Sequence, residues 1–266
     1  MVNIVLHTED LSIGYQNKKA QTIIASEVGI SLKKGTLTSL IGANGIGKST
    51  LLRTITGIQK PIAGRVFLAG KNISKYNSAE LARQLSLVLT EQLPPSNLTV
   101  SELVALGRQP YTNWIGTLSS EDKIKIKTAL EATATGHLSE RKHFELSDGQ
   151  FQKVLIARAL AQDTPVIILD EPTTHLDLEH KFSMFTLLKK LAVEADKSIL
   201  FSTHDIDLAI QLSDEMIVMD RFGIQQNTPQ QFIENRTFDN LFPDNSISFD
   251  AEKVKFVFKD PKSNRS

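Results

Sequence analysis

Residues 42–50 constrain the fold more strongly than any other part of this sequence. They read Gly-Ala-Asn-Gly-Ile-Gly-Lys-Ser-Thr and match the pattern G-x-x-x-x-G-K-[ST]. An apolar run at 36–41 precedes them, and leucine and isoleucine at helical spacing follow from Ser49. Glycine lets backbone amides curl around phosphate oxygens, and a helix N-terminus adds the positive end of its dipole. The pattern therefore predicts a strand, a phosphate-binding loop and a helix in succession.

The residue types in this loop suit a nucleotide with a bound magnesium ion. The amine of Lys48 can reach the β- and γ-phosphates, and the hydroxyl of Ser49 can bind Mg²⁺. The residues that we expect to contact the nucleotide are Gly42, Asn44, Gly45, Gly47, Lys48, Ser49 and Thr50.

A second motif is the apolar run 166–169, which is followed directly by Asp170 and Glu171. Carboxylates at the carboxyl end of a buried strand lie on the ligand side of a parallel sheet. We expect Asp170 to hold the magnesium ion through water, and Glu171 to orient or deprotonate an attacking water. Together with the phosphate loop, this motif indicates a P-loop nucleotide hydrolase without specifying its class.

The alternation of apolar runs and helical patterns predicts the α/β class. A second, mostly apolar run lies at 198–202, and a helix is expected between the two runs, at about 178–195. Apolar strands that alternate with helices imply a buried parallel sheet. The hydrophobic pattern thins after Asp220, so we expect a main domain over 1–220, with a mostly helical part at about 93–162, and a short appendage of the same domain over 221–266.

Composition excludes several function classes. The 30 basic and 30 acidic residues balance, which argues against a nucleic-acid partner held by a strongly basic surface. The chain has no cysteine, which removes disulfides and thiol nucleophiles and fits a reducing cytosol. We find no apolar run of about 18 residues, as a membrane span would need. The first ten residues also lack the basic start of a signal peptide.

Residues 146–150, Leu-Ser-Asp-Gly-Gln, resemble the L-S-G-G-Q signature of ATP-binding cassette (ABC) proteins. Further residues resemble markers of that family and occur in its order along the chain. They are Tyr15 for the aromatic residue that stacks on adenine, Gln92 for the Q-loop glutamine, residues 174–177 for the D-loop, and His204 for the switch histidine. The resemblance covers about residues 4–220.

The resemblance implies a P-loop NTPase cassette with a RecA-like mixed sheet core, an N-terminal antiparallel β subdomain and a helical signature subdomain. It implies a head-to-tail dimer in which each ATP lies between the phosphate loop of one copy and the signature of the other. Ser147, Gly149, Gln150 and Asp177 would then contribute to nucleotide binding. Glu171 would act as the general base, His204 would hold the γ-phosphate, and Gln92 would contact Mg²⁺ or the lytic water.

Asp148 departs from the family pattern because it replaces the first glycine of the signature. Its carboxylate could repel a polyphosphate, or it could cap the helix that begins beside it, where anions are favoured. We favour the capping role and expect Asp148→Gly to leave ATPase activity within a few-fold.

Two strings narrow the type of cassette. Residues 99–111 and 172–177 resemble the cassettes of importers for iron–siderophores, haem and cobalamin, although Tyr111 stands where these often carry histidine. The resemblance implies an ATPase subunit at the cytoplasmic face of the cell membrane. Its partners would be a separate integral membrane permease and an extracytoplasmic substrate-binding protein.

Other classes remain open at this point. An exporter cassette is the nearest alternative within transport, and a soluble cassette for DNA repair, ribosome work or iron–sulfur assembly is the alternative outside it. Ribosome-linked cassettes usually occur as two in one chain, and repair cassettes carry a long coiled-coil insertion; neither feature is found in these 266 residues. A metabolic kinase with a phosphate loop is opposed by the signature at 146–150.

Overall fold

The computed structural model describes residues 3–17, 20–89, 96–241 and 247–258. The strands in these parts are β1 Ile4–Asn17, β2 Ala20–Val28, β3 Ser31–Lys33, β4 Leu37–Gly42, β5 Ala63–Leu68, β6 Lys71–Asn72, β7 Leu85–Val88, β8 Val166–Leu169, β9 Ser198–Ser202, β10 Glu215–Asp220, β11 Gly223–Asn227, β12 Ile247–Asp250 and β13 Lys255–Phe258. The α-helices are α1 Lys48–Ile55, α2 Ser78–Ala82, α3 Val100–Ala105, α4 Ser120–Ala132, α5 Asp148–Ala161, α6 Leu178–Glu194, α7 Ile206–Leu212 and α8 Pro229–Glu234. Short 3₁₀ helices lie at Ile73–Lys75, Leu106–Tyr111, Gly136–Leu138, His143–Glu145 and Thr237–Asn240.

The central sheet has the strand order β11-β10-β4-β9-β8-β7. From β10 to β7 all neighbours are parallel, and β11 pairs antiparallel with β10 at one edge. Every residue of β4, β8 and β9 is buried, which explains the wholly apolar run of β8 and the mostly apolar run of β9 in the sequence. Since the three strands are parallel neighbours, their carboxyl ends meet at one edge of the sheet.

An antiparallel sheet forms the N-terminal part, as the resemblance implies. Its order is β2-β1-β5-β6, with β3 also paired to β1. Leucine and isoleucine side chains of β1 pack with those of α1 in one buried cluster. Strand β1 is 14 residues long. Its pairing with β5 is irregular between Glu9 and Ser12, where Asp10 has a φ of 46°, and resumes at Ser12.

The helical part consists mainly of α3, α4 and α5, which share one buried apolar cluster. Thr99 begins α3 with a capping box: its hydroxyl accepts a hydrogen bond from Glu102 N, and the Glu102 carboxylate accepts one from Thr99 N. Ser119 caps α4 in the same way. These caps satisfy amides that a helix N-terminus otherwise leaves without partners.

The segment after Asp220 is more closely integrated than its thin hydrophobic pattern indicates. β11 belongs to the central sheet, and Phe232, Phe238 and Leu241 are buried in the central core. The hairpin of β12 and β13 then packs on this core through ring contacts of Phe249 and Phe256 with Phe238. Within the described parts of the chain, no helix combines the length and hydropathy needed to cross a bilayer.

Candidate functional site

The phosphate loop follows β4 at the carboxyl edge of the central sheet. Gly45 and Gly47 have φ of 74° and 114°, which side chains rarely adopt. A Cβ atom on Gly47 would lie 2.5 Å from the Cγ2 atom of Ile24 on β2. Glycine at this position is therefore required both by the backbone conformation and by the packing against β2.

The amine of Lys48 lies inside the loop that it follows. Its Nζ atom donates to the carbonyl oxygen of Gly42 at 2.9 Å and to that of Ala43 at 3.3 Å. Burial lowers the pKa of Lys48 from its ordinary value, and the carboxylates of Glu171 and Asp170 act in the opposite direction. Since β4, β9 and β8 are neighbouring parallel strands, the phosphate loop after β4 and the acidic pair after β8 lie at the same edge of the sheet. Asn44 and Ser49 are exposed to solvent on this loop.

Tyr15 lies on β1 beside the start of α1. Its hydroxyl shares a hydrogen bond of 2.7 Å with that of Thr50, while about half of the side chain is exposed. Next to it is an open cavity of about 530 Å³, and Gln59 at its wall donates to the carbonyl oxygen of Gly14. This arrangement leaves an aromatic surface free for a flat ligand next to the phosphate loop, as the adenine-stacking prediction requires.

Asp170 and Glu171 follow β8, as predicted. Ser202, which was not among the predicted site residues, forms hydrogen bonds with both of them. The hydroxyl of Ser202, at the end of β9, donates to Asp170 Oδ1 at 2.6 Å and accepts from Glu171 N at 2.9 Å. Glu171 has a φ of 49°. The signal available in the sequence was a hydroxyl residue ending an otherwise apolar strand.

His204 meets Glu171 directly. Its Nε2 atom lies 2.7 Å from Glu171 Oε1, and the hydroxyl of Thr174 donates a hydrogen bond of 3.2 Å to Glu171 Oε2. Both oxygens of the Glu171 carboxylate therefore have a partner that restricts its orientation. A carboxylate held in this way next to a phosphate loop can accept a proton from a water molecule.

The signature residues surround the start of α5. Ser147 is the N-cap: its hydroxyl accepts from Gln150 N, and Gln150 Oε1 accepts from Ser147 N. The expectation that Asp148 caps this helix is wrong, because Asp148 is the first helical residue and Ser147 already has the extended backbone and the hydroxyl that a cap needs. Gly149 is buried, and a Cβ atom on it would lie 3.1 Å from His180 of α6.

Asp177 caps α6 and contacts the same histidine. Its Oδ1 atom accepts from His180 N at 2.9 Å and lies 2.7 Å from His180 Nδ1. The hydrogen bond from the His180 backbone, followed by that from its ring, lowers the pKa of Asp177. His180 thus joins the signature to the D-loop. Gln92, the predicted Q-loop residue, lies outside the described residues.

The side chains present fit a nucleotide and magnesium. The glycine conformations shape a loop of backbone around Lys48, and the hydroxyl of Ser49 and the carboxylate of Asp170 are oxygen donors of the kind that Mg²⁺ prefers. In the described parts of the chain, no cluster of three or more His, Asp or Glu side chains forms a separate metal site.

Comparison with known proteins agrees with this geometry. The family profile described as ABC transporter matches residues 25–174, more than half of the chain. The iron(3+)-hydroxamate import ATP-binding protein FhuC of Bacillus subtilis is 39% identical over 98% of this chain and 92% of its own length. The achromobactin transport ATP-binding protein CbrD of Dickeya dadantii is 40% identical, covering 88% of this chain and 86% of the relative.

Solved structures show the same fold. An inward-facing ABC transporter assigned to the metal-chelate type superposes with a TM-score of 0.76 and 28% identity, covering 88% of each chain. The dimeric structure of the bacterial ABC transporter cassette MJ0796 gives a TM-score of 0.72 and 27% identity, over 84% of this chain and 98% of that one. The phosphate loop, acidic pair, signature and histidine therefore belong to an ATP-hydrolysing cassette, and this chain is a member of the ABC transporter family.

Proposed function

We propose that this chain is the ATPase subunit of an importer for an iron–siderophore-type chelate, or for the related haem or cobalamin cargo. The observation that carries the proposal is the assembly of Lys48, Glu171 and His204 on three neighbouring strand ends, in a chain that aligns over 98% of its length with an iron(3+)-hydroxamate import protein. The named transport role of CbrD and the metal-chelate type of the solved transporter support the same cargo class.

In this proposal the phosphate loop binds ATP, and Tyr15 stacks on its base. Amides of the loop and the amine of Lys48 hold the β- and γ-phosphates, while His204 contacts the γ-phosphate. Mg²⁺, when bound, neutralises charge on the phosphate oxygens, and Ser49, Asp170 and Gln92 would hold it. Most of the rate enhancement then comes from positioning and charge stabilisation.

Glu171 acts on the attacking water. The water oxygen forms a bond to the γ-phosphorus while the bond from that phosphorus to the bridging oxygen of ADP breaks, and Glu171 takes the proton of the water. His204 and Thr174 hold the carboxylate in the orientation that this transfer needs. The products are ADP and inorganic phosphate.

A second copy of the chain completes each site. Ser147 is exposed on the surface, where a second copy of the chain can reach it. Lys48, by contrast, is surrounded by the phosphate loop of its own chain. A head-to-tail dimer brings Ser147 and Gly149 of one copy to the γ-phosphate bound by the other. The dimeric MJ0796 cassette supports this arrangement.

The membrane partner is a separate permease, which we place against the helical part of the chain. Trp114 is 94% exposed and Ile115 is largely exposed next to it, in the loop between Tyr111 and α4. A tryptophan at the surface is suited to anchoring a protein interface. The chain would then act at the cytoplasmic face, with an extracytoplasmic binding protein delivering the cargo. The alternatives are an exporter subunit and a soluble cassette.

Uptake in cells tests the cargo. The gene is deleted in its host, and uptake of radioactive iron as a hydroxamate siderophore is compared with uptake of labelled haem and cobalamin. We expect one of these uptakes to be lost and to be restored by the wild-type gene and by Glu194→Gln, which changes an exposed residue of α6. Lys48→Ala should not restore it.

The outcomes separate the alternatives. Loss of export of a compound, with all three uptakes intact, would support the exporter. Unchanged transport in both directions, together with ATPase activity that stays in the soluble fraction, would support the soluble cassette.

A further inference from the structure

Asp205, the residue after His204, occupies the N-cap position of α7 without capping it. Its backbone has φ of −85° and ψ of 68°, and no amide of the helix donates to its carboxylate. An aspartate at this position normally accepts such a hydrogen bond. The carboxylate of Asp205 is directed instead to two side chains from other segments.

Each oxygen of the Asp205 carboxylate has its own donor. The hydroxyl of Thr173 donates to Oδ2 at 2.8 Å, and the amine of Lys181 on α6 donates to Oδ1 at 2.6 Å. Thr173 is only 3% exposed, and the side chains of Asp205 and Lys181 are mostly buried. Because a buried hydroxyl or carboxylate is costly without a partner, these three groups hold one another in place.

These contacts join the two segments that carry the proposed catalytic pair. Thr173 lies two residues after Glu171, and Asp205 lies one residue after His204. The bond from Thr173 to Asp205 and the contact of Glu171 with His204 are therefore two links between the same pair of segments. The bond from Thr173 to Asp205 is independent of a nucleotide, because neither residue is among those that we expect to contact it.

We propose that Asp205 is a positioning residue that sets the distance and orientation between Glu171 and His204. The inference rests on the proposed ATPase roles of those two residues. Asp205 acts through Thr173 and Lys181, the two side chains that donate to its carboxylate. Through Lys181 it also ties α6, which begins after Asp177, to the segment of His204.

Paired variants at Thr173 test the proposal. Thr173→Val keeps the shape of the side chain and removes its hydroxyl, whereas Thr173→Ser keeps the hydroxyl. We expect Thr173→Val and Asp205→Ala each to lower kcat by at least about tenfold, since small displacements of reacting groups can cost about a hundredfold. The Kd for ATP should stay within about threefold, because the contacts from the phosphate loop and Tyr15 are unchanged, and Thr173→Ser should retain most of the wild-type kcat.

A double variant and a distant control complete the experiment. Thr173→Val combined with Asp205→Ala should be no slower than Asp205→Ala alone, because both remove the same link. Asp196→Asn removes the exposed ion pair of Asp196 with Lys34. Asp196 lies before the amino end of β9, whereas His204 follows its carboxyl end, so this variant should leave kcat unchanged.

Each outcome has one meaning. Wild-type kcat in Thr173→Val and Asp205→Ala, with Glu171→Gln inactive, would overturn the positioning role while the proposed function stands. The positioning role would also be overturned if Thr173→Ser lowered kcat as much as Thr173→Val. It would be overturned as well if the Kd for ATP weakened in parallel with kcat, since either result would indicate a general loss of structure. A wild-type chain that neither binds nor hydrolyses ATP would contradict the proposed function itself.

Discussion

His204 and Glu171 are separated by 33 positions in the sequence, and their side chains lie 2.7 Å apart. The sheet brings them together, because β8 and β9 are parallel neighbours and both residues follow the carboxyl ends of these strands. The contact is thus a consequence of strand order, and the phosphate loop after β4, the other neighbour of β9, completes the group.

Glu171→Gln should therefore separate ATP binding from hydrolysis. Glutamine keeps the size of the side chain but cannot accept the proton of the attacking water, and loss of a general base typically costs about 10²–10⁴-fold in rate. We expect the Kd for ATP, measured by fluorescence of a labelled nucleotide, to be unchanged, and the variant to accumulate as an ATP-bound dimer in size-exclusion chromatography. Hydrolysis at the wild-type rate would exclude Glu171 as the base; Glu194→Gln is the control.

The sequence alone predicted the central sheet well because its strands are buried on both faces. β8 is a run of four apolar residues, and β9 has three apolar residues between two serines, so their ends, and the residues that follow, could be located directly. The caps at Thr99 and Ser119 were equally local, since a capping box lies within four residues. Both capping boxes are present in the structure.

Features that depend on distant contacts could not be predicted in this way. Ser202 and Asp205 have their partners on other segments. The hydroxyl at the end of an apolar strand marks the position of Ser202, but no local pattern shows which segment it or Asp205 will contact. Phe232 and Phe238 lie among polar residues without periodicity, so their burial could not be inferred. The structure describes the predicted site residues other than Gln92, and their roles in binding and catalysis stay predictions.

Asp148→Gly should change stability slightly and leave ATPase activity within a few-fold. Asp148 lies in the first turn of α5, where an anion typically contributes about 0.3–1 kcal/mol through the helix dipole. Ser147→Ala removes the actual cap and should cost about 1 kcal/mol of the free energy of unfolding. Asp148→Asn is the matched variant that removes the charge alone. A change in ATPase rate of about a hundredfold in either direction for Asp148→Gly would show that the carboxylate acts on the nucleotide.

The ion pair of Arg108 and Asp122 should dominate the stability of the helical part. The two side chains are 3% and 4% exposed, and Arg108 Nε donates to Asp122 Oδ1 at 2.7 Å. Asp122→Ala leaves a buried guanidinium without its counterion, so we expect a loss of about 3–5 kcal/mol in urea unfolding. Glu131→Ala, which removes an exposed pair with Lys127, should change stability by less than about 0.5 kcal/mol. Equal losses of the free energy of unfolding in Asp122→Ala and Glu131→Ala would contradict the stabilising role of the buried ion pair.

The ion pair of Arg108 and Asp122 also predicts that the free energy of unfolding depends on pH. Hydrogen bonds from the Ser119 side chain and backbone, and then from Arg108, lower the pKa of Asp122. A group with a lowered pKa in the folded state stabilises the fold fully above the pKa of the unfolded state, about 3.9 for aspartate, and this stability is lost as the pH falls through the folded-state pKa. The free energy of unfolding of the wild-type protein should therefore exceed that of Asp122→Ala at pH 7, and this difference should decrease as the pH falls below about 4. A difference in free energy of unfolding that is the same at pH 3 and pH 7 would contradict this.

Phe238→Ala should show that the segment after Asp220 is part of the core. Phe238 is 1% exposed and contacts the rings of Phe232, Phe249 and Phe256, so its removal leaves a cavity and should cost about 3–5 kcal/mol in urea unfolding. Phe222→Ala is the matched control, because Phe222 is 68% exposed at the β10–β11 turn and its loss should be within about 0.5 kcal/mol. If the chain unfolds in one transition with Phe238→Ala shifting its midpoint, the segment folds with the rest. A separate early transition, with the main midpoint unchanged, would mean that it is an appendage as the hydrophobic pattern predicted.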